Sequence, residues 1–274
     1  MSEANPGNDP RVAKHPRPGL LPKMANPNFE YLLRLGDNAL ILAQRLTEWC
    51  GKAPALEEDI ALANTGLDLL GQARMWLTLA AEIEQGGRTE DDLAYLRDTH
   101  EFRNALLVEQ PNGNYADTIV RQFFFDAWHR PMLDGLTRSS DTRIAAIAAK
   151  AVKEVTYHLH RSADLVVRLG DGTDESHRRM QSAVDDLWTY TGELFDADAV
   201  DEALIASRVA VDPRTLKAGW LTHVGDVLGE ATLAMPSPDA WMQRGGRVGR
   251  HTEHFGYLLA EMQFLQRAYP GAQW

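Results

Sequence analysis

Two stretches of the chain place an acid, an aliphatic residue and a hydrogen-bonding side chain in the same order. The first is Asp68-Leu69-Leu70-Gly71-Gln72 and the second is Glu154-Val155-Thr156-Tyr157-His158. A di-metal carboxylate bundle carries a Glu-x-x-His pair on each of two helices. In that frame an aliphatic residue takes each Glu position and a polar one takes each His position: Leu69 with Gln72, and Val155 with His158. The spacing therefore predicts a metal-bundle plan whose ligand cavity is filled by aliphatic side chains.

A frame shifted by one residue does not restore a ligand set. It pairs Asp68 with Gly71 and Glu154 with Tyr157, so it loses both His ligands. Glu154 also lies about 100° round the helix from Val155, which points it away from a shared metal. A di-iron site needs about four carboxylates and two imidazoles. Neither frame supplies them.

Other acids and imidazoles keep a second interpretation open, a di-metal oxygenase with an unusual ligand set. That set is spread over three predicted helices: Glu48, Asp126, His129, Glu154 and His158. It requires these side chains to converge within about 4 Å of shared metals. We favour a simpler interpretation, in which Asp126 and His129 hydrogen-bond in an aromatic-rich core. His158 would be a satisfied core histidine, with Tyr157 or Gln72 as its partner.

Two motifs near the C-terminus suggest contacts with ligands or partners. Arg244, Arg247 and Arg250 are interleaved with glycines, and such a loop could bind the phosphates of an acyl-CoA. The loop lacks the Lys-Ser/Thr of a Walker motif, so a flexible surface loop is the favoured interpretation. His251-Thr252-Glu253-His254 resembles a metal cluster, but it stands at a predicted helix start, where Thr252 can cap the helix.

Composition narrows the class of protein. The formal net charge is −11, which argues against nucleic acid as the partner because phosphate binding needs a basic patch. Cys50 is the only cysteine, so no internal disulfide forms and a reducing cytoplasm is the expected location. No apolar run approaches the roughly 18 residues of a membrane span. The polar, proline-rich start has no apolar segment of a secretion signal.

The elements that position these residues are predicted to be helices throughout. Apolar residues recur at helical spacing, and no strand-like alternation stands out. The predicted helices span residues 27–50, 56–85, 89–97, 114–136, 145–169, 174–194, 213–234 and 252–268, with an acidic connector at 195–200. We expect an all-α four-helix bundle with additional C-terminal helices. Residues 1–26 would form a proline-rich flexible tail, and residues 27–274 a single domain.

The second predicted helix is apolar almost all round its circumference. The apolar residues spread round it are Ile60, Leu62, Ala63, Leu67, Leu69, Leu70 and Ala73. A helix of this kind is buried on several sides. Gly66 and Gly71 on the same helix would allow neighbouring helices to approach closely.

Several long motifs resemble a known family, the structural C subunits of the bacterial phenylacetyl-CoA epoxidases. These enzymes are multicomponent monooxygenases that epoxidise an aromatic ring in phenylacetate breakdown. The resemblance covers residues 29–274. It is carried by Leu35-Gly36-Asp37-Asn38-Ala39-Leu40-Ile41-Leu42, Leu46-Thr47-Glu48-Trp49-Cys50-Gly51, Leu67-Asp68-Leu69-Leu70-Gly71-Gln72-Ala73-Arg74, Leu107-Val108-Glu109-Gln110-Pro111-Asn112-Gly113-Asn114, Lys153-Glu154, Tyr157-His158-Leu159 and His251-Thr252-Glu253-His254.

The resemblance implies a ferritin-like fold and a structural role beside a catalytic A subunit. In such an enzyme the A subunit holds the di-iron centre and binds the acyl-CoA. A separate reductase delivers electrons from NADPH, and O2 is activated at the partner's irons. The chain would then bind no cofactor and supply no catalytic residue. Its partners would be the A subunit and the other epoxidase subunits, including the reductase.

Overall fold

The computed structural model describes residues 26–272, and eleven helices form within them. They are α1 (Pro27–Thr47), α2 (Leu56–Glu84), α3 (Glu90–Tyr95), α4 (Leu106–Glu109), α5 (Tyr115–Leu136), α6 (Thr142–Gly170), α7 (Asp174–Trp188), α8 (Ala199–Ala206), α9 (Lys217–Glu230), α10 (Glu253–Met262) and α11 (Phe264–Ala268). No strand is present in this part of the chain. The predicted all-α class is confirmed. The division into a tail at 1–26 and a domain at 27–274 stays a prediction, because residues 1–25 lie outside the described range.

The four long helices α1, α2, α5 and α6 form the bundle. α1 packs along α2, α5 packs along α6, and α2 contacts α6 across the bundle. α1 and α5 are its most buried helices, and on α5 the side chains of Phe123, Phe124 and Phe125 are all fully buried. This architecture is that of a ferritin-like fold.

The ends of these helices follow from local capping. Pro27 starts α1 after Asn26, whose side chain accepts a hydrogen bond from the backbone of Asn28. Asn114 caps α5 in a reciprocal box with Asp117. Such caps satisfy backbone N–H groups that a helix start would leave without a partner.

The smaller helices complete the core from outside the bundle. The Trp220 indole on α9 donates a 3.0 Å hydrogen bond to the Phe124 carbonyl on α5. The ring of Phe255 on α10 packs edge-on against Phe102, with centroids 5.4 Å apart. None of the helices in residues 26–272 combines the length and apolar character needed to cross a bilayer.

Three predicted elements differ from the structure. The predicted helix at 174–194 ends at Trp188, and a short 3-10 turn, Gly192–Phe195, follows it. The helix predicted from 213 to 234 is a 3-10 turn, Pro213–Leu216, followed by α9. The acidic connector predicted at 195–200 leads directly into α8, which Asp198 caps in a box with Asp201. Asp198, an acid of that connector, is therefore a capping residue.

The prediction that α2 is buried on several sides is wrong. Ile60, Leu67 and Leu70 are exposed to solvent. Within this chain the bundle covers only the side of α2 that carries Leu69 and Trp76. The opposite side carries these aliphatic residues together with exposed Asn64 and Arg74, and no described element covers it.

Candidate functional site

The centre of the bundle contains the four residues that occupy the ligand positions of a metal bundle. Leu69 and Gln72 on α2 are fully buried, and so is Val155 on α6. His158 on α6 is almost completely buried. The two aliphatic side chains pack in the hydrophobic core, where a di-metal site would need carboxylates.

The polar residues beside them bond to one another across the two helices. His158 Nε2 lies 2.9 Å from Asp68 Oδ2. Gln72 Nε2 donates a 2.9 Å hydrogen bond to Glu154 Oε2. Residue 68 faces 158 and residue 72 faces 154, so α2 and α6 run antiparallel. The acid of each helix thus binds the hydrogen-bonding residue of the other.

A third contact continues this antiparallel seam between α2 and α6. Arg161 on α6 forms an ion pair with Glu58 on α2. The Tyr115 hydroxyl at the start of α5 donates a 2.5 Å hydrogen bond to the same carboxylate. Arg161, Glu58 and Tyr115 are therefore engaged with one another, whereas Gln72 Oε1 and His158 Nδ1 are buried without a hydrogen-bond partner among the described residues.

The structure corrects the predicted hydrogen-bond partner of His158. Tyr157 is exposed, and Gln72 binds Glu154. Asp68 is the partner because it lies one helical turn from Gln72 on the antiparallel helix. Burial, the largest cause, lowers the pKa of His158 despite the opposing effect of Asp68. The imidazole is therefore neutral near pH 7, and its Nε2–H donates to the carboxylate.

Asp126 on α5 is a buried carboxyl group that keeps its proton. Burial raises its pKa to about 8, although hydrogen bonds from Ser162 and Gln122 oppose the shift. The Ser162 hydroxyl lies 2.9 Å from Asp126 Oδ2, and the Gln122 amide donates to Oδ1 at 2.7 Å. A protonated acid is a poor metal ligand, since binding would have to release the proton.

The expected hydrogen bond between Asp126 and His129 does not form. The ring of His129 packs instead against Phe125, with centroids 4.9 Å apart, and stacks on Trp128. Burial, followed by repulsion from His158, lowers the pKa of His129 to about 3. This imidazole is neutral and belongs to an aromatic core.

Glu48 lies at the end of α1 and fixes a turn. Its carboxylate accepts 3.0 Å and 2.9 Å hydrogen bonds from Arg45 and Asn112. Across residues 26–272, no group of three or more His, Cys, Asp or Glu side chains is placed to hold a metal ion. The residues of this bundle therefore do not fit a di-iron centre.

The buried carboxylate of Glu109, just before the turn that leads into α5, binds the first two residues of the His251–His254 motif. Glu109 Oε2 lies 2.7 Å from His251 Nδ1, while the backbone and hydroxyl of Thr252 donate to Oε1 at 2.6 Å and 2.8 Å. Asn104 also donates to this group at 2.8 Å. Thr252 stands at the predicted cap position, but its side chain binds Glu109 and leaves α10 without a side-chain cap. These contacts fasten the C-terminal segment to α4.

The arginine loop is packed against the protein, contrary to the expectation of a flexible surface loop. The backbone N–H groups of Gly245 and Arg247 donate to Glu193 Oε1 at 2.9 Å and 3.2 Å. Arg247 also forms a buried 2.6 Å ion pair with Asp201. The amides that could receive a phosphate are thus already bonded to a carboxylate.

Two arginines of this loop remain at the surface. Arg244 pairs with Asp196 at 2.8 Å in an exposed contact. Arg250 is exposed as well. Contact of Arg244, Arg247 and Arg250 with a phosphate or a partner stays a prediction, and only the two exposed residues could make it without breaking a buried ion pair.

Sequence reasoning missed Asp68 as a member of the central cluster. The signal was present, because each stretch carries an acid and a hydrogen-bonding residue four positions apart: Asp68 with Gln72, and Glu154 with His158. On two antiparallel helices this spacing gives reciprocal bonds. The direction of the helices was the missing information.

These features define the class: a ferritin-like, all-α protein whose bundle centre, in the part the structure describes, holds buried aliphatic side chains and hydrogen-bonded polar pairs. A family model described as Phenylacetic acid catabolic protein matches residues 19–274, and the chain belongs to that family. The chain is 57% identical over 244 residues to the C subunit of the 1,2-phenylacetyl-CoA epoxidase of Escherichia coli (strain K12). This match covers 89% of the chain and 98% of that protein.

Proposed function

We propose that this chain is a non-catalytic structural subunit of a phenylacetyl-CoA epoxidase and takes part in phenylacetate catabolism. It would pair with the di-iron A subunit, which epoxidises the aromatic ring of phenylacetyl-CoA with O2. Electrons would come from NADPH through a separate reductase subunit. We expect the assembled complex in the cytoplasm.

The observation that carries the proposal is the closed centre of the bundle. Leu69 and Val155 are buried at two ligand positions. The neighbouring polar groups are paired with each other, as in the bonds from His158 to Asp68 and from Gln72 to Glu154. A site with aliphatic side chains at its ligand positions has no means of holding the irons that activate O2.

The alternative, a di-metal oxygenase with its own unusual site, finds no support in this arrangement. Glu48 is bonded to Arg45 and Asn112 at a helix end, away from the pairs between α2 and α6. Asp126 holds a proton, and His129 is packed among aromatic rings. The five candidate ligands serve separate structural contacts.

Reconstitution from separately purified subunits tests the proposal. The chain alone should not epoxidise phenylacetyl-CoA when supplied with iron, the reductase and NADPH. Addition of the A subunit should give a hetero-oligomer by sizing, and activity should require that subunit. Epoxidation by the chain without the A subunit, or failure of the two subunits to associate, would overturn the proposal.

A further inference from the structure

The ring of His251, just before α10, contacts two acceptors at once. Its Nδ1 lies 2.7 Å from Glu109 Oε2, and its Nε2 lies 3.2 Å from the Phe102 carbonyl oxygen. A backbone carbonyl only accepts hydrogen bonds, so Nε2 carries a hydrogen, and a second hydrogen must lie between Nδ1 and the carboxyl oxygen. A neutral imidazole has one N–H. The pair of His251 and Glu109 therefore holds one proton more than a neutral ring beside a carboxylate.

The other contacts of Glu109 place this extra proton on the ring. Its Oε1 accepts hydrogen bonds from the backbone N–H and the hydroxyl of Thr252 at 2.6 Å and 2.8 Å. Its Oε2 accepts a further one from Asn104 at 2.8 Å. Three donors besides His251 favour the ionised form of a carboxyl group. His251 is accordingly an imidazolium ion, and Glu109 is its carboxylate partner.

This ion pair is buried, and an aromatic ring covers one face of the imidazole. The side chains of His251 and Glu109 are 4% and 0% exposed. His251 stacks on Phe255 of α10, with centroids 4.1 Å apart and an interplanar angle of 28°. An aromatic face attracts a cation. Loss of one charge from a buried ion pair leaves the other uncompensated, which is strongly destabilising.

The charged and titratable groups near the pair are engaged elsewhere in the described residues. Arg45 on α1 donates to the backbone oxygen of Glu109, at 2.7 Å and 3.1 Å, rather than to its carboxylate. Burial, followed by the charge of Glu109, raises the pKa of Tyr190, so this hydroxyl is neutral. Glu193 accepts from backbone N–H groups of α4 and of the arginine loop. Other ion pairs of this region are Arg97 with Asp37 and Arg103 with Glu30.

The pair holds one end of the segment 251–268, which contains α10 and α11. At the other end, the Gln263 amide donates to the carbonyls of Ala94 and Arg97 at 3.1 Å and 3.0 Å. Arg267 donates to the Arg97 carbonyl as well, at 2.9 Å. Amide and guanidinium groups keep their protons from pH 6 to pH 9. The imidazolium is therefore the attachment of this segment that depends on pH.

We propose that His251 and Glu109 form a proton-dependent clasp that holds the segment 251–268 on the body of the protein. With both protons present, the ring bonds to Glu109 and to the Phe102 carbonyl. When the ring loses one proton, a nitrogen lone pair faces one of these acceptors, and Glu109 remains a buried charge without its counter-ion. Because the closed clasp holds a proton that the open one releases, its stability falls as the pH rises. The inference does not depend on the proposed function.

Hydrogen exchange of the full chain at pH 6 and pH 9 tests the clasp. Each rate is divided into the rate of an unprotected amide at the same pH, which gives protection factors for the backbone amides of α10. In the unchanged chain these factors should fall at least about tenfold from pH 6 to pH 9, the equivalent of one hydrogen bond to a charged group. Equal protection of α10 at the two pH values would overturn the inference.

Glu109→Gln separates the proton from the packing. The amide oxygen can still accept from Thr252, and the amide N–H can donate to Nδ1 of a neutral ring whose Nε2–H still bonds to Phe102. Asn104 Oδ1, which is buried without a partner among the described residues, can turn to accept the second amide hydrogen. The fall in protection of α10 should be abolished in this variant. The same fall as in the unchanged chain would overturn the inference.

His254→Gln is the matched control, since it changes the other histidine of the motif. The side chain of His254 is 43% exposed, and its nearest acid, Glu253, lies 3.9 Å away at 86% exposure. This variant should keep the full fall in protection, and loss of the fall would overturn the assignment to His251.

Nitrogen-15 NMR of the unchanged chain tests the proton on the ring without any variant. At pH 6, both ring nitrogens of His251 should show the chemical shifts of protonated nitrogens. A bare nitrogen in this ring at pH 6 would overturn the inference.

Discussion

At the scale of single residues, the bundle centre is polar but largely uncharged. Asp126 is protonated, while His129 and His158 are neutral, in each case because burial penalises the charged form most strongly. Buried neutral groups cost far less than buried charges. These residues can therefore remain in a closed core without a metal ion to compensate them.

Asp126→Asn should stabilise the protein, and the gain should depend on pH. In the unfolded chain the carboxyl group ionises near its ordinary pKa, about 4, whereas in the folded chain it keeps its proton up to about pH 8. Asp126 thus costs no stability below about pH 4, and its cost grows as the pH rises to about 8. We expect the variant to gain about 2–4 kcal/mol of unfolding free energy near pH 7.

Urea denaturation at pH 5 and pH 8 measures this effect. The gain should be larger at pH 8, and the amide introduced at position 126 can donate to Ser162, which has the Leu159 carbonyl as its own acceptor. Asp134→Asn, on the exposed side of the same helix, should change stability by less than about 1 kcal/mol. Equal gains for the Asp126 variant at both pH values would mean that this carboxyl group is ionised in the folded protein.

At the scale of elements, the partly buried Arg247 helps Glu193 to hold the C-terminal loop. Arg247→Ala would leave Asp201 facing only Arg34 and would remove a contact to the Asp196 carbonyl. We expect a loss of roughly 2–4 kcal/mol, since removal of one partner leaves a buried charge under-compensated. Arg244→Ala removes an exposed ion pair with Asp196 and should cost less than about 1 kcal/mol.

Urea denaturation measures the stability of both arginine variants, and the acyl-CoA KM of the assembled enzyme measures whether the loop contacts the substrate. The KM should stay unchanged for Arg244→Ala if the loop is only structural. Similar stabilities for the two variants would show that the buried pair of Arg247 does not hold the loop.

The two glycines of α2 should respond in opposite ways to alanine. Gly71→Ala should stabilise the isolated chain by up to about 1 kcal/mol, since alanine is the better helix former and the added methyl group meets nothing. Gly66→Ala should gain less or lose stability, because its methyl group would lie only 3.0 Å from the Thr47 methyl group. Thermal unfolding of the chain without partners checks this. A larger gain for Gly66→Ala than for Gly71→Ala would contradict the packing described for α2.

The sequence was informative wherever the signal is local. Helical spacing and caps such as Asn114 predicted the long helices, and ligand spacing singled out Leu69 and Val155. Contacts between helices were harder, because register and direction do not follow from one helix alone. For that reason Asp68 was not assigned to His158, and Asp126 was wrongly paired with His129.

The wrong prediction that α2 is buried on several sides has a different cause. An apolar circumference indicates that a helix is covered, but it does not identify what covers it. The sequence pattern at Ile60, Leu67 and Leu70 therefore predicted a buried helix, whereas the described residues leave these three side chains exposed. α8 was missed for a local reason, since Asp198 was placed in an acidic connector at 195–200, whereas it caps α8 in a box with Asp201.

At the scale of the whole molecule, the chain combines a closed bundle with an open apolar surface. Leu69 and Val155 are buried at the bundle centre, and Ile60, Leu67 and Leu70 on the other side of α2 are exposed. Both features fit a subunit that supports a catalytic homologue. Mass action should then stabilise this chain in the complex, because a partner that binds only the folded form raises its unfolding free energy.

The location of iron in the assembled complex tests the central claim most directly. Anomalous scattering at the iron edge, from crystals of the complex grown with ferrous iron, assigns each iron to a chain. We predict di-iron centres in the A subunit alone, with Leu69 and Val155 of this chain packed against protein atoms. A bridged pair of irons between α2 and α6 of this chain would contradict that claim.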